Sequence, residues 1–117
     1  MVDTFLARGP RYPDGREVSV KARVGSFVVH RELDSDMTPK ATGAWNVSHA
    51  PSGYNAGFIN YRTIAKTTTA AALLERRCAK RFPRAVRRGS FVASLRRDRR
   101  FADGLRSKLS SIADLYA

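Results

Sequence analysis

The sequence has a single cysteine, Cys78, among its 117 residues. One thiol cannot close an internal disulfide, so nothing argues for secretion into an oxidising compartment. Long apolar runs are missing as well. The longest, Ala70–Leu74, falls far short of the roughly 20 residues that span a bilayer. The opening stretch MVDTFLARGPRYPDG lacks an apolar run of signal-peptide length, and Asp3 stands where a basic region would be expected. A soluble, cytoplasmic protein is the expectation, and the acceptor pattern Asn46-Val47-Ser48 is then a coincidence. The motifs of nucleotide and acyl chemistry are absent too. There is no Walker loop, no G-x-G-x-x-G, no C-x-x-C and no G-x-S-x-G. No cofactor and no catalytic residue is expected.

Acidic residues are scarce. Ten Asp and Glu face 22 Lys and Arg, a net charge of +12. Such a chain attracts polyanions at long range. Its hydrophobic fraction of 43% is close to the roughly 45–50% of globular proteins, so a core is expected, in one domain over residues 1–117. The charge is unevenly divided. Residues 1–62 carry eight basic and six acidic side chains, and residues 63–117 carry fourteen and four. The first part has the character of a scaffold, the second of an electrostatic surface.

The pattern predicts an α+β fold: a three- or four-stranded antiparallel sheet over about residues 16–61, then two or three helices over about 64–82, 90–97 and 99–116. Val18, Val20, Ala22 and Val24 alternate with polar residues, the period of a half-buried strand. Phe27, Val29 and Leu33 share a parity, and DSDMTPKATG (34–43) has loop composition. Trp45 and Val47 alternate with Asn46 and Ser48. APSG (50–53) is a turn, with Tyr54 to Asn60 returning as a paired strand. In the second part, Thr63 or one of Thr67–Thr69 is a cap, and Ala71, Leu74, Cys78 and Phe82 lie on one helical face. Pro83 should end that helix. Ser90 should cap a short piece with Phe91 and Leu95. Asp98 should cap a last helix with the stripe Phe101, Leu105, Leu109, Ile112 and Tyr116.

Eleven basic side chains crowd residues 76–100: Arg76, Arg77, Lys80, Arg81, Arg84, Arg87, Arg88, Arg96, Arg97, Arg99 and Arg100, with Asp98 the only acid among them. Ten are arginine, whose planar fork binds phosphate with paired hydrogen bonds. A solvated helix face ordinarily mixes signs, whereas Arg76–Lys80–Arg84 and Arg77–Arg81 are like-charged at the i,i+4 spacing. These eleven are the candidate nucleic-acid-binding residues, with DNA or RNA the expected partner. An alternative partner is an acidic protein surface, such as a host enzyme inhibited by docked basic helices. A membrane surface fits less well, because Pro83 and Gly89 interrupt the segment and its apolar residues suit a small core.

Two further constellations have a bland explanation beside the chemical one. His30, Glu32, Asp34 and Asp36 fall on every second residue, which on a strand would offer a metal face and, beside a basic patch, a small metal-dependent nuclease. The simpler expectation is the solvent side of a half-buried strand. Trp45, Tyr54, Phe58 and Tyr61 could stack on unpaired bases, though aromatics on such strands are more often core. Cys78, on the apolar face with Leu74 and Phe82, is expected to be a buried, inert thiol. His49 should make a hydrogen bond at the hairpin end.

The segment WNVSHAPSG followed by FINYRT and a helix resembles, over about residues 16–82, the three-strand-plus-helix domains that bind DNA in some phage integrases (the arm-binding type) and in plant transcription factors of the AP2 type. In those domains the sheet enters the major groove. Here the excess charge lies in the helices, so no binding residues carry over. The Arg-rich chain with its W-x-V-x-H-x-P-x-G hairpin also resembles small, uncharacterised bacteriophage proteins. That resemblance implies a role in handling nucleic acid or in disabling a host machine.

Overall fold

A hairpin that the sequence pattern does not announce opens the chain. The computed structural model describes residues 3–41, 43–56 and 59–114. Strand β1 (Thr4–Gly9) pairs antiparallel with β2 (Tyr12–Ser19). Phe5 and Ala7 point inward and Leu6 and Arg8 outward, so the two-residue period is real but short. A bulge between Ala7 and Gly9 absorbs Pro13 and Gly15 on β2, where Pro lacks a ladder donor.

A second, three-stranded antiparallel sheet has the order β3 (Ala22–Val24), β4 (Phe27–Arg31), β5 (Trp45–His49). The alternation of Val18 to Val24 therefore does not mark one strand. Val18 closes β2 and Ala22 opens β3. Between them Val20 N–H donates to Asp3 O and Lys21 N–H to Val29 O, each at 2.8 Å, so the chain changes sheets while keeping its parity. The expected return strand over Tyr54–Asn60 is reduced to two isolated bridges, Ser48↔Asn55 and Trp45↔Tyr61; Gly57 and Phe58 lie outside the described residues. The turn before it forms as expected, with Gly53 at φ 79°. A Cβ there would sit 2.4 Å from Leu6 O, so only glycine fits.

Helix α1 (Ile64–Arg81) starts on Thr63, whose hydroxyl accepts Lys66 N–H at 3.1 Å, and stops before Pro83, as expected. Arg84 lies beyond its last turn, so the Lys80–Arg84 spacing is not a helical one. A single 3-10 turn (Ala85–Arg87) leads to α2 (Phe91–Arg97) and α3 (Arg99–Asp114). Ser90 precedes α2 without a side-chain capping bond. Asp98 does cap α3, its Oδ1 accepting Phe101 N–H at 3.2 Å. Tyr116, the expected end of the α3 stripe, lies outside the described residues.

The three-stranded sheet is covered on both sides. Across β4 and β5 the register places Phe27 opposite His49 and Val29 opposite Val47, and on the other face Val28 opposite Ser48 and His30 opposite Asn46. The first face packs on α1, α2 and α3 in one core with Leu74, Cys78, Phe91, Leu95, Leu105 and Leu109. The second lies under the β1–β2 hairpin, where Val28 joins Phe5, Ala7 and Val18 in a smaller core. All five β5 side chains are buried. Arg23 of β3 holds Asp3 of the hairpin with two bonds, 3.1 and 3.0 Å.

Candidate nucleic-acid interface

Each of the eleven basic side chains between 76 and 100 is exposed, but they do different work. Arg81 reaches from the end of α1 to Asp98, with Nε and Nη2 3.0 and 2.7 Å from Oδ2. Arg87 folds back on Glu75 of α1, with Nη2 2.7 Å from Oε2, and also donates to Ser26 Oγ at 2.8 Å. Glu75 in turn accepts Ser26 N–H at 3.0 Å. The Arg87 hydrogen bonds hold the Glu75 carboxyl below its ordinary range, and those from Arg81 do the same for Asp98. These two arginines are clamps. Arg87 ties the turn after α1 to the β3–β4 loop, and Arg81 ties α1 to the junction of α2 and α3.

The clamp at Glu75 explains Gly25. Gly25–Ser26 is the two-residue loop between Val24 and Phe27, and Gly25 has φ 58°, the pattern of a type II′ turn. A Cβ there would lie 2.0 Å from Glu75 Oε1. The carboxylate thus occupies the space that a missing side chain leaves.

The other nine, Arg76, Arg77, Lys80, Arg84, Arg88, Arg96, Arg97, Arg99 and Arg100, have no acidic partner among the described residues. Position distinguishes them further. Lys80 closes α1 and Arg96 and Arg97 close α2, where the helix dipole favours a cation. Arg99 and Arg100 open α3, whose first turn holds no acid. There the exposed N–H groups disfavour positive charge by about 0.3–1 kcal/mol each. The Asp98 carboxylate at the N-cap offsets part of this, but Arg81 already binds it.

The Arg81–Asp98 pair also sets the layout. It docks the end of α1 on the residue that separates Arg97 from Arg99, behind which Phe82 packs edge-on to Phe91 and Phe101. Arg96 and Arg99 share a cleft of about 370 Å³ with Asp103 and Arg106. The chain brings Asn55 to the same cleft, and Arg8, Tyr54 and Asn55 border a neighbouring one with Arg96. No local signal marks Arg8 or Asn55 as neighbours of the basic segment, because only the three-dimensional packing of the hairpin and α2 joins them.

The four residues of the 30–36 stretch do not converge. His30 is buried, contrary to its expected place on a solvent side, because the hairpin covers that face of the sheet. Glu32 contacts Lys40 and Asn60. Asp34 Oδ1 accepts the backbone N–H groups of Asp36 and Thr38, and Asp36 meets Arg11 at 3.3 Å. No set of three or more His, Cys, Asp or Glu side chains able to hold a metal ion occurs among the described residues.

Of the four aromatics proposed for stacking, Trp45 and Tyr61 are core, and Arg31 lies over the Trp45 ring at 4.4 Å. Phe58 lies outside the described residues. Tyr54 is exposed at 37%. Cys78 is buried, and burial pushes its thiol pKa up to about 12, which makes it a poor nucleophile. His49 makes the expected bond at the hairpin end: Nδ1 accepts Ser52 N–H and Nε2–H donates to Val86 O. Among the described residues no helix is long and apolar enough to cross a membrane.

The chain matches no protein-family model, no curated protein and no solved structure.

Proposed function

We propose that this protein binds nucleic acid without catalysing a reaction on it, gripping phosphates with the exposed arginines around the α1 end and the α2–α3 junction. The observation that carries the reading is Arg99 and Arg100 in the first turn of α3, exposed, unpaired among the described residues and electrostatically unfavourable to the helix. A cost of this kind is explained if the charges meet a polyanion. Both faces of the three-stranded sheet are covered, so the helices, rather than a sheet laid in a groove, form the contact surface. Arg81 and Arg87 serve the fold first and contribute less to binding than their neighbours.

The test is fluorescence anisotropy with labelled duplex DNA, single-stranded DNA and RNA between about 50 and 300 mM salt. Affinity should fall steeply with salt. Replacing Arg96, Arg99 and Arg100 with Ala should weaken binding to all sequences alike and reduce the log–log salt slope on duplex by about 2–3, near 0.9 per phosphate contact. The double variant Arg99→Ala/Arg100→Ala should be at least as stable as wild type, since it relieves the α3 N-terminus. Equal affinity of the two proteins would sink the reading and direct attention to an acidic protein partner.

A further inference from the structure

The arginines around the α2–α3 junction do not all stand on an open face. Arg96, Arg99 and Arg106 border one cleft of about 370 Å³. Helical spacing brings them there. Arg99, Ala102, Asp103 and Arg106 share one face of α3, and Val92, Leu95 and Arg96 form the facing side of α2. Val92 and Leu95 are buried, so the cleft has an apolar floor and a charged rim. Arg100, about 100° round α3 from Arg99, is exposed outside the cleft.

Charge and oxygen count decide what such a cleft holds. Three guanidiniums against one carboxylate, that of Asp103, leave two positive charges. All four side chains are exposed, so a ligand reaches them from solvent. An internal phosphate of a strand is a diester, with one negative charge and two free oxygens. A terminal phosphate is a monoester, with a charge of about −1.5 to −2 at pH 7 and three free oxygens. The planar fork of arginine binds along an edge between two oxygens. A diester offers one such edge and a monoester three, one for each guanidinium. A monoester also brings the filled cleft close to neutral. Over an apolar floor these attractions are screened less than on an open helix face. Arg96 and Asn55 border the next cleft as well, of about 410 Å³, together with Arg8 and Tyr54. A strand thus has a cationic path away from the site.

We infer that the α2–α3 cleft holds the terminal phosphate of a nucleic-acid strand, with Arg96, Arg99 and Arg106 on its three free oxygens and the strand leaving past Arg96 toward Arg8. The inference rests on the nucleic-acid reading above and makes the protein a reader of strand ends. Arg106, which lies outside the dense basic segment, is the residue that separates an end from an internal phosphate.

The test is anisotropy with single strands of one sequence, labelled internally and ending in hydroxyls, in a 5′-phosphate or in a 3′-phosphate, at one salt concentration. One phosphorylated strand should bind about tenfold tighter than the hydroxyl-ended one, the scale of a charge-assisted hydrogen bond. The end that gains names the strand polarity. A hydroxyl-ended strand one nucleotide longer adds a phosphate but no monoester, and should gain less than about twofold. Arg106→Gln should cut the gain to below about threefold while still binding the hydroxyl-ended strand. Arg100→Gln should weaken every strand and leave the gain in place. Equal binding of phosphorylated and hydroxyl-ended strands, or a gain that survives Arg106→Gln, overturns this inference and leaves internal phosphate binding standing. Failure to bind any strand overturns both readings. Adenosine monophosphate bound as tightly as the phosphorylated strand makes the cleft a site for free nucleotides and overturns the strand end.

Discussion

The two faces of the three-stranded sheet differ in what they bury. Under the helices, Phe27, Val29 and Val47 meet Leu74, Phe91 and Leu109 in a continuous apolar core. The polar group of β5 on this side, His49, is fully bonded by Ser52 and Val86. Under the hairpin, the apolar cluster is smaller, with Phe5, Ala7, Val18 and Val28 buried and Val20, Leu33, Met37 and Ala50 half-buried against it, and it lies beside the buried polar His30, Ser48 and an unsatisfied Asn46. One face is complete as a folded structure. The other contains a group that folding leaves without a partner. Among the arginines the contrast is between Arg99 and Arg100, which have no acidic side chain paired with them among the described residues, and the clamps Arg81 and Arg87, which do.

The largest expected effect breaks the complete face. Leu74 is wholly buried at the centre of the helix–sheet core, and α1 packs on all three strands. Leu74→Ala removes its buried methyl groups and leaves a cavity, so urea denaturation should show a loss of about 3 kcal/mol. A loss under about 1 kcal/mol would mean that the helices are not what holds the sheet.

Much of this face was legible in the sequence. Ala71, Leu74 and Cys78 follow the helical period, Thr63 and Asp98 are strong caps, and Pro83 cannot continue a helix. The hairpin face was not legible, for physical reasons. Strand β1 has only Phe5 and Ala7 on its inner side, with Leu6, a large apolar residue, pointing out. Val18 to Val24 keep one parity across two sheets. Strands β4 and β5 are buried on both faces, so His30, Asn46 and Ser48, which in a half-buried strand would face water, lie beneath a hairpin that a local pattern cannot place. At the candidate interface the density of arginine was evident from composition. Which arginines are taken by Glu75 and Asp98, and that Arg8 and Asn55 lie beside Arg96, depends on long-range packing.

Acid should act next, through buried imidazoles on both faces. Burial lowers the pKa of His49 and of His30 from 6.5. A group whose folded pKa is depressed contributes stability above its unfolded pKa, and that stability is lost as pH falls. The urea midpoint should therefore be flat above about pH 7.5 and fall as pH drops through 6.5. His49 should contribute more than its bonding alone suggests. Its Nδ1 accepts a backbone N–H that cannot reverse, and Arg87 stands nearby, with Glu75 opposing it. The Ser48 hydroxyl facing His30 can rotate to accept. Below about pH 4.5 the Glu75–Arg87 clamp should fail too, because the Glu75 pKa is lowered by Arg87. A midpoint that stays level between pH 7.5 and 5.5 would contradict the neutral, buried state of both rings.

The smallest stability change should come from Asn46 on the hairpin face. Asn46 neighbours Val47 on β5 but faces the hairpin instead of the helices. Truncating a buried polar side chain that has lost its hydrogen bond removes an unfavourable desolvation of about 1–3 kcal/mol along with the packing of its short stem. The two terms oppose each other, so Asn46→Ala should unfold within about 1 kcal/mol of wild type. Leu74→Ala and Asn46→Ala then form a matched pair, one costly to the fold on the helical face, one nearly silent on the hairpin face. If Asn46→Ala instead costs as much as Leu74→Ala, the Asn46 amide holds the hairpin to the sheet, and the two faces are equally complete as folded structure.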